Sequence, residues 1–146
     1  VQIEIKIDSL CKETKIIVLT DKMTDEIHAI VKKLSDDTPQ VICGFRDDTL
    51  EILDQADIVR AYAAAGKIFT VTCKGEYTLR LRLFELEERL DKNNFVRISN
   101  SEIINLRKVK GFDLNFAGTI CVTLSSGAVT YVSRRYVARI KKELGI

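Results

Sequence analysis

The sequence contains no tryptophan, one proline, one histidine and one methionine in 146 residues. So little proline, with only seven glycines, excludes collagen-like, proline-rich and low-complexity classes. The lone His28 sits beside Ile27 and Ile30 in a helical pattern, and no serine or cysteine around it forms a nucleophile motif. G-x-G-x-x-G, P-loop and H-E-x-x-H motifs are also missing. An enzyme is therefore not expected, and neither is a cofactor. Apolar runs are short: Ile16–Leu19 and Tyr62–Ala65 fall far below the ~20 residues that a membrane-spanning helix needs, and no signal-peptide pattern opens the chain. The expectation is a soluble, cytoplasmic protein with no membrane insertion. Cys11, Cys43, Cys73 and Cys121 are 32, 30 and 48 residues apart, which leaves no C-x-x-C pair for a metal. Each lies among strand-forming residues and is expected to be a small buried thiol.

What is present suits a compact domain, with 46% hydrophobic and 30% charged residues and a length typical of one domain or two very small ones. The net charge of +2 conceals an asymmetry. Residues 1–47 hold 7 basic against 9 acidic side chains, whereas residues 92–146 hold 10 basic side chains against only Glu102, Asp113 and Glu143. A local +7 attracts polyanions and suits phosphate neutralisation; charge alone fits a solvated basic face equally well.

Periodicity divides the chain near Asp47. Ile3, Ile5 and Ile7 alternate with polar residues, predicting a half-buried strand at 1–7, and Lys15–Thr20 reads as a second. Met23, Ile27, Ile30, Val31 and Leu34 recur at helical spacing behind Thr20 or Asp21 as N-cap, with Asp36-Asp37-Thr38-Pro39 as the breaker. Val41–Phe45 supplies a third strand. Beyond Asp48 short strands alternate with turns: Leu50–Leu53, Asp57–Ala61, then Lys67–Cys73 and Glu76–Leu81 around the Lys74-Gly75 hairpin signal. A short helix on Leu83, Leu86 and Leu90 is supported by the Glu85–Arg89 spacing. Strands at Phe95–Ile98 and Val109–Leu114 are expected to flank a turn at Ser101–Leu106, and Thr119–Leu124 to pair with Val129–Val132. Ser133 is the expected N-cap of a last helix, Arg134–Leu144, ended by Gly145.

Three blocks in the second part carry a family resemblance. They are Tyr77-Thr78-Leu79-Arg80 running into Leu83–Leu90; Phe95–Leu106, similar to an F-x-R-x-H-x-S-x-I-V-N signature; and Leu124-Ser125-Ser126-Gly127 followed by Tyr131-Val132-Ser133-Arg134-Arg135-Tyr136. Together, over residues 48–146, they resemble the LytTR DNA-binding domain of the LytR/AlgR family of bacterial transcription regulators. Two positions depart from the pattern. Ser99 stands where the family often has His, and Arg82 replaces a small capping residue. The resemblance implies an α+β, mostly β fold and a sequence-specific regulator whose loops and strand ends enter the major groove of double-stranded DNA. It also implies a DNA-binding set of Gly66, Lys67, Ser99, Asn100, Ser101, Ser133, Arg134, Arg135, Tyr136 and Arg139.

Within that set the resemblance makes Asn100 and Arg135 the base-reading candidates, and their chemistry agrees: Asn can pair bidentately with adenine and Arg with guanine. Gly66-Lys67 is a third contact element. Taken singly, Asn100 reads as a turn residue and Arg134 and Arg135 as a solvated helix start, although two cations there oppose the helix dipole. Ser101 and Asn105 also suit structural caps, and Lys108 and Lys110 a solvated strand face.

Many relatives carry a receiver domain of roughly 120 residues, within the usual domain range. Residues 1–47 are too few for one, so a response-regulator-like protein without a receiver is expected. This strand-strand-helix-strand segment is marginal alone, and a dimerisation or regulatory role is expected for it. The partner would be a second copy, or a membrane or cytosolic regulatory protein. The alternative function is a protein-interaction regulator with little or no DNA binding.

Overall fold

The computed structural model describes residues 1–35, 41–114 and 118–146. The chain divides into two compact units, Val1–Pro39 and Gln40–Ile146.

In the first unit the amphipathic segment forms α1 (Asp25–Ser35), with Asp25 and Glu26 in its first turn and Lys32 and Lys33 in its last, each complementing the helix dipole. Its start is set by Thr24, whose Oγ1 accepts from the Ile27 N–H at 3.3 Å, rather than by Thr20 or Asp21. The expected breaker at Asp36–Pro39 lies outside the described residues. The strands expected at Val1–Ile7 and Lys15–Thr20 do not form. Alternation supplies an apolar face but not a hydrogen-bonding partner, and without a ladder Ile3, Ile5 and Ile7 stand 86%, 83% and 96% exposed. Asp8 makes a turn here, accepting from the Leu10 N–H at 2.9 Å.

The second unit contains β1 (Ile42–Arg46), β2 (Thr49–Leu53), β3 (Ile58–Ala64), β4 (Lys67–Thr72), β5 (Gly75–Leu79), α2 (Leu83–Arg89), β6 (Phe95–Ser99), β7 (Glu102–Asn105), β8 (Val109–Asp113), β9 (Ile120–Leu124), β10 (Val129–Val132) and α3 (Val137–Leu144). Strands β1 to β7 form one antiparallel sheet in the order β2-β1-β5-β4-β3-β7-β6, and β8 to β10 a second in the order β10-β9-β8. By pattern alone β1 groups with the front segment. Its pairing with β2, Phe45 opposite Leu50, and with β5, Phe45 opposite Thr78, places it in the second unit.

Adjacent apolar residues feed opposite faces of the large sheet, because strand side chains alternate. Ile58, Phe95 and Ile103 join Leu83 and Leu86 of α2 and Leu90, which follows it, in one core. Their neighbours Val59, Val96 and Ile104 join Val122, Leu124, Val132 and Ile140 of α3 in the other. The β3-β7-β6 end of the sheet is thus covered on both sides, and its strands read as unbroken apolar pairs. Glu102 ties the layers together, accepting from Thr130 Oγ1 of the small sheet at 2.7 Å and pairing with Arg60 at 3.3 Å.

That two-sided burial explains one departure from the sequence reading. Ser101–Leu106 was expected to be a turn; it is mostly β7, paired with both β6 and β3, and the turn shrinks to Asn100-Ser101. Ile103-Ile104 has no period-two alternation, so nothing local marks it as a strand.

Another difference lies in α2. Glu85 Oε1 accepts from the Arg82 N–H at 3.2 Å and Arg89 donates to Val41 O at 3.2 Å, so each serves the backbone instead of the other. The cysteines also differ from expectation: Cys11 and Cys73 are exposed, and Cys43 and Cys121 are half-buried. Cys121 alternates with Ile120 and Val122, which take the core-facing positions of β9.

Thr70 in β4 lies opposite Ala61 and Tyr77, is fully buried, and its hydroxyl has no hydrogen-bond partner among the described residues. Removing an unpartnered buried hydroxyl while keeping the branched shape relieves its desolvation penalty. Thr70→Val should therefore raise stability by about 1–2 kcal/mol, read as a higher denaturant midpoint at unchanged slope. A lower midpoint would show that the hydroxyl is satisfied.

Candidate nucleic-acid interface

Three connections of the second unit meet at one rim. The first joins β3 to β4. Ala64 pairs with Lys67, so the hairpin loop is Ala65-Gly66, and both residues have positive φ, 51° and 73°. A two-residue loop with both residues left-handed matches the twist of its strands, and it leaves Gly66 and Lys67 exposed.

The second is the β6–β7 turn. Its backbone is fastened to the first by Ala63 N–H donating to Ser101 O at 2.8 Å. Inside it Ser99 Oγ accepts from the Ser101 N–H at 3.2 Å and lies 3.3 Å from Ser101 Oγ. Ser101 therefore shapes the turn, and Ser99 spends part of its capacity holding it.

The third follows β10. Ser133 N–H donates to Ile98 O at 2.9 Å, which seats the start of this segment against β6. Arg134–Tyr136 is one turn of 3-10 helix, and α3 starts only at Val137. The helix expected to start at Arg134 is shortened accordingly. Ser133 flanks the 3-10 turn through its backbone, accepting from the Tyr136 N–H at 2.9 Å, while its hydroxyl makes no cap hydrogen bond. At the far end Gly145, at φ 73°, closes α3 as expected, with the Ile146 N–H on Lys141 O at 2.9 Å. Tyr136 joins this connection to the second, its hydroxyl donating to Asn100 Oδ1 at 3.0 Å.

The structure thus brings Ser99, Asn100, Ser101, Ser133 and Tyr136 together and sets the Gly66-Lys67 hairpin beside them. Arg135 is exposed and makes no ion pair among the described residues. The Arg134 guanidinium runs past Gly118, where a Cβ would come within 3.0 Å of Nε. Arg139, on α3, is drawn to Glu87 of α2 at 3.7 Å. Asn105 is structural: fully enclosed in β7, it donates to Ile58 O at 2.7 Å and accepts from the Arg107 N–H at 2.9 Å. Tyr62, opposite Glu102 in the ladder, donates to Glu76 at 2.8 Å; that hydrogen bond, with burial, raises its phenol pKa above the usual 10.0 and keeps it neutral.

Sequence reasoning did not single out Arg97 and Glu87. Arg97 donates through Nε to Ser99 O at 2.8 Å, through one terminal nitrogen to Asn100 O at 2.6 Å and through the other to Glu87 at 3.0 Å. Arg97 stood within a motif block, but its acid partner lies ten residues earlier on a helix, a contact that no local spacing announces.

A two-sheet scaffold that gathers three exposed turns, rich in short polar and basic side chains, is the architecture of a loop-presenting nucleic-acid-binding module. Residues 48–145 match the family model of the LytTr DNA-binding domain, and the chain belongs to that family. The fold is shared with a solved structure described as a LytTr DNA-binding domain from Bacillus cereus. The TM-score is 0.70 at 23% identity, over 73% of this chain and 97% of that one. Curated relatives from Staphylococcus aureus strains NCTC 8325 and MRSA252, each named an uncharacterized HTH-type transcriptional regulator, are 32% and 31% identical over 135 residues. Each match spans 92% of this chain and 91% of the relative, so the likeness extends into the front unit. Among the described residues strands separate α1, α2 and α3, and no two α-helices are consecutive as in a helix-turn-helix. No helix among them is long and apolar enough to cross a membrane.

Proposed function

We propose that this protein is a cytoplasmic, non-enzymatic transcription regulator that reads double-stranded DNA by sequence through the three turns at this rim. The observation that supports the reading most is the hydrogen bond from Tyr136 to Asn100, which joins a side chain of the type that can pair with adenine to the segment holding Arg134 and Arg135. Family membership and the regulator names of the relatives support it. Arg135 reads guanine, and Lys67, Arg134 and the backbone N–H groups of the 3-10 turn serve phosphates. Arg139 adds positive potential from α3.

Titration of the protein against promoter DNA at two salt concentrations tests this. Phosphate contacts make affinity fall steeply with salt, and a salt-independent or absent signal would instead favour a protein-interaction regulator. Lys67→Ala should weaken binding to all sequences by similar factors and lower the salt slope by about one unit. Loss confined to one operator variant would make Lys67 a base reader.

The front unit is assigned to self-association. Its exposed apolar series of Ile3, Ile5, Ile7, Ile16, Ile17 and Leu19 is more than a soluble monomer carries without purpose. Sedimentation at micromolar concentration should return twice the 16.5 kDa chain mass. A monomer, both alone and on DNA, would refute the dimer.

A further inference from the structure

Arg97 belongs to the basic stretch at 92–146, whose charge would attract a polyanion, yet its geometry directs it inward. All three guanidinium nitrogens are engaged, two on the consecutive carbonyls of Ser99 and Asn100 and one on Glu87. Its side chain is only 15% exposed, and Glu87 offsets its charge. The β6–β7 register shifts between Arg97 and Ser99, an irregularity of the kind that re-aims a side chain. Here two successive carbonyls turn toward one planar fork, a geometry that arginine satisfies and a lysine point charge does not.

The Asn100 side chain is held independently. Its Oδ1 accepts from Tyr136, and a carbonyl oxygen has two lone pairs. No other described residue bonds this amide, so one lone pair is open for an adenine amino group and Nδ2 can donate. The hydroxyl leaves the reading edge available and removes rotamer freedom that would otherwise be lost on binding.

We infer that Arg97 and Tyr136 set the base selectivity of the β6–β7 turn without contacting DNA, Arg97 by fixing the backbone of Ser99 and Asn100 and Tyr136 by fixing the Asn100 amide. The inference rests on the proposed role of Asn100 as a base reader. It makes both positioning residues.

The test is selection from a randomised duplex library by the full chain, comparing wild type with Asn100→Ala, Tyr136→Phe, Arg97→Lys and the combinations with Asn100→Ala. Asn100→Ala should flatten preference at an adenine position. Tyr136→Phe and Arg97→Lys should each reduce preference at that same position by about three- to tenfold. Other positions and the salt slope should be unchanged, and neither substitution should add anything once Asn100 is alanine. In the free protein, Tyr136→Phe should shift the side-chain amide resonance of Asn100 with no change in melting midpoint.

Uniform loss across positions with a shallower salt slope would make the substituted residue a phosphate contact and overturn its positioning role. Preference unaltered by both substitutions, while Asn100→Ala still flattens a position, would overturn the inference and leave the reading role intact. If Asn100→Ala flattens nothing, the reading role fails and the inference with it.

Discussion

Ile103→Ala and Ile104→Ala should each destabilise the protein by about 2–5 kcal/mol, the range for truncating a buried isoleucine whose site cannot collapse. Both are essentially unexposed, at 1% and 0%, but they line different cores. Ile103 packs with the α2 cluster, and Ile104 with the small sheet and α3. Neighbours in sequence rarely both sit in close-packed interiors; here they do because β7 is covered on both faces and lies between β3 and β6. Had residues 101–106 formed a turn, each substitution would have stayed within about 0.5 kcal/mol, as exposed positions do. Denaturant unfolding of the two variants, with Phe84→Ala on the exposed side of α2 as a control, is the measurement. Tolerance at either isoleucine would mean that one of the two cores is not packed as described.

Arg135→Ala should lower affinity for the specific operator by about ten- to a hundredfold while non-specific affinity changes far less, because a bidentate arginine–guanine pair carries roughly 1–3 kcal/mol of discrimination. Asn100→Ala should behave in the same way toward adenine. Arg135 suits the role through its freedom. It is exposed on a short 3-10 turn, whereas Arg97 and Arg139 are both directed at Glu87. Neither Asn100 nor Arg135 belongs to the apolar clusters, so thermal unfolding of both variants should match wild type. The comparison to make is operator against scrambled DNA at one salt concentration. Equal loss on both would reassign Arg135 to phosphate, and base reading would pass to Arg134 or Ser99.

Much of this was legible in the sequence, for reasons that are local. The β4–β5 hairpin followed from the Lys74-Gly75 signal, although its turn is Cys73-Lys74 and Gly75 opens β5; α1 followed from apolar spacing with acids ahead and lysines behind, and the end of α3 from Gly145, since turn geometry, dipole and capping act over a few residues. The ordered blocks likewise identified the DNA-binding domain family, whereas the compact unit that contains it begins earlier, at Gln40, because β1 pairs with β2 and β5. What the sequence did not determine was every matter of partnership. Alternation in Val1–Ile7 promised a strand, but a strand exists only with a neighbour to bond. Ile103-Ile104 looked like part of a turn until the fold supplied a core on each side. The cationic series at 92–146 looked uniform, and tertiary structure alone divided it. Burial beside Glu87 turned Arg97 inward onto its own turn, while the end of β10 left Arg135 in solvent. Local patterns determine which conformations a segment can adopt, whereas the neighbours that pair, bury or neutralise a side chain come from distant parts of the chain, and only the tertiary structure decides them.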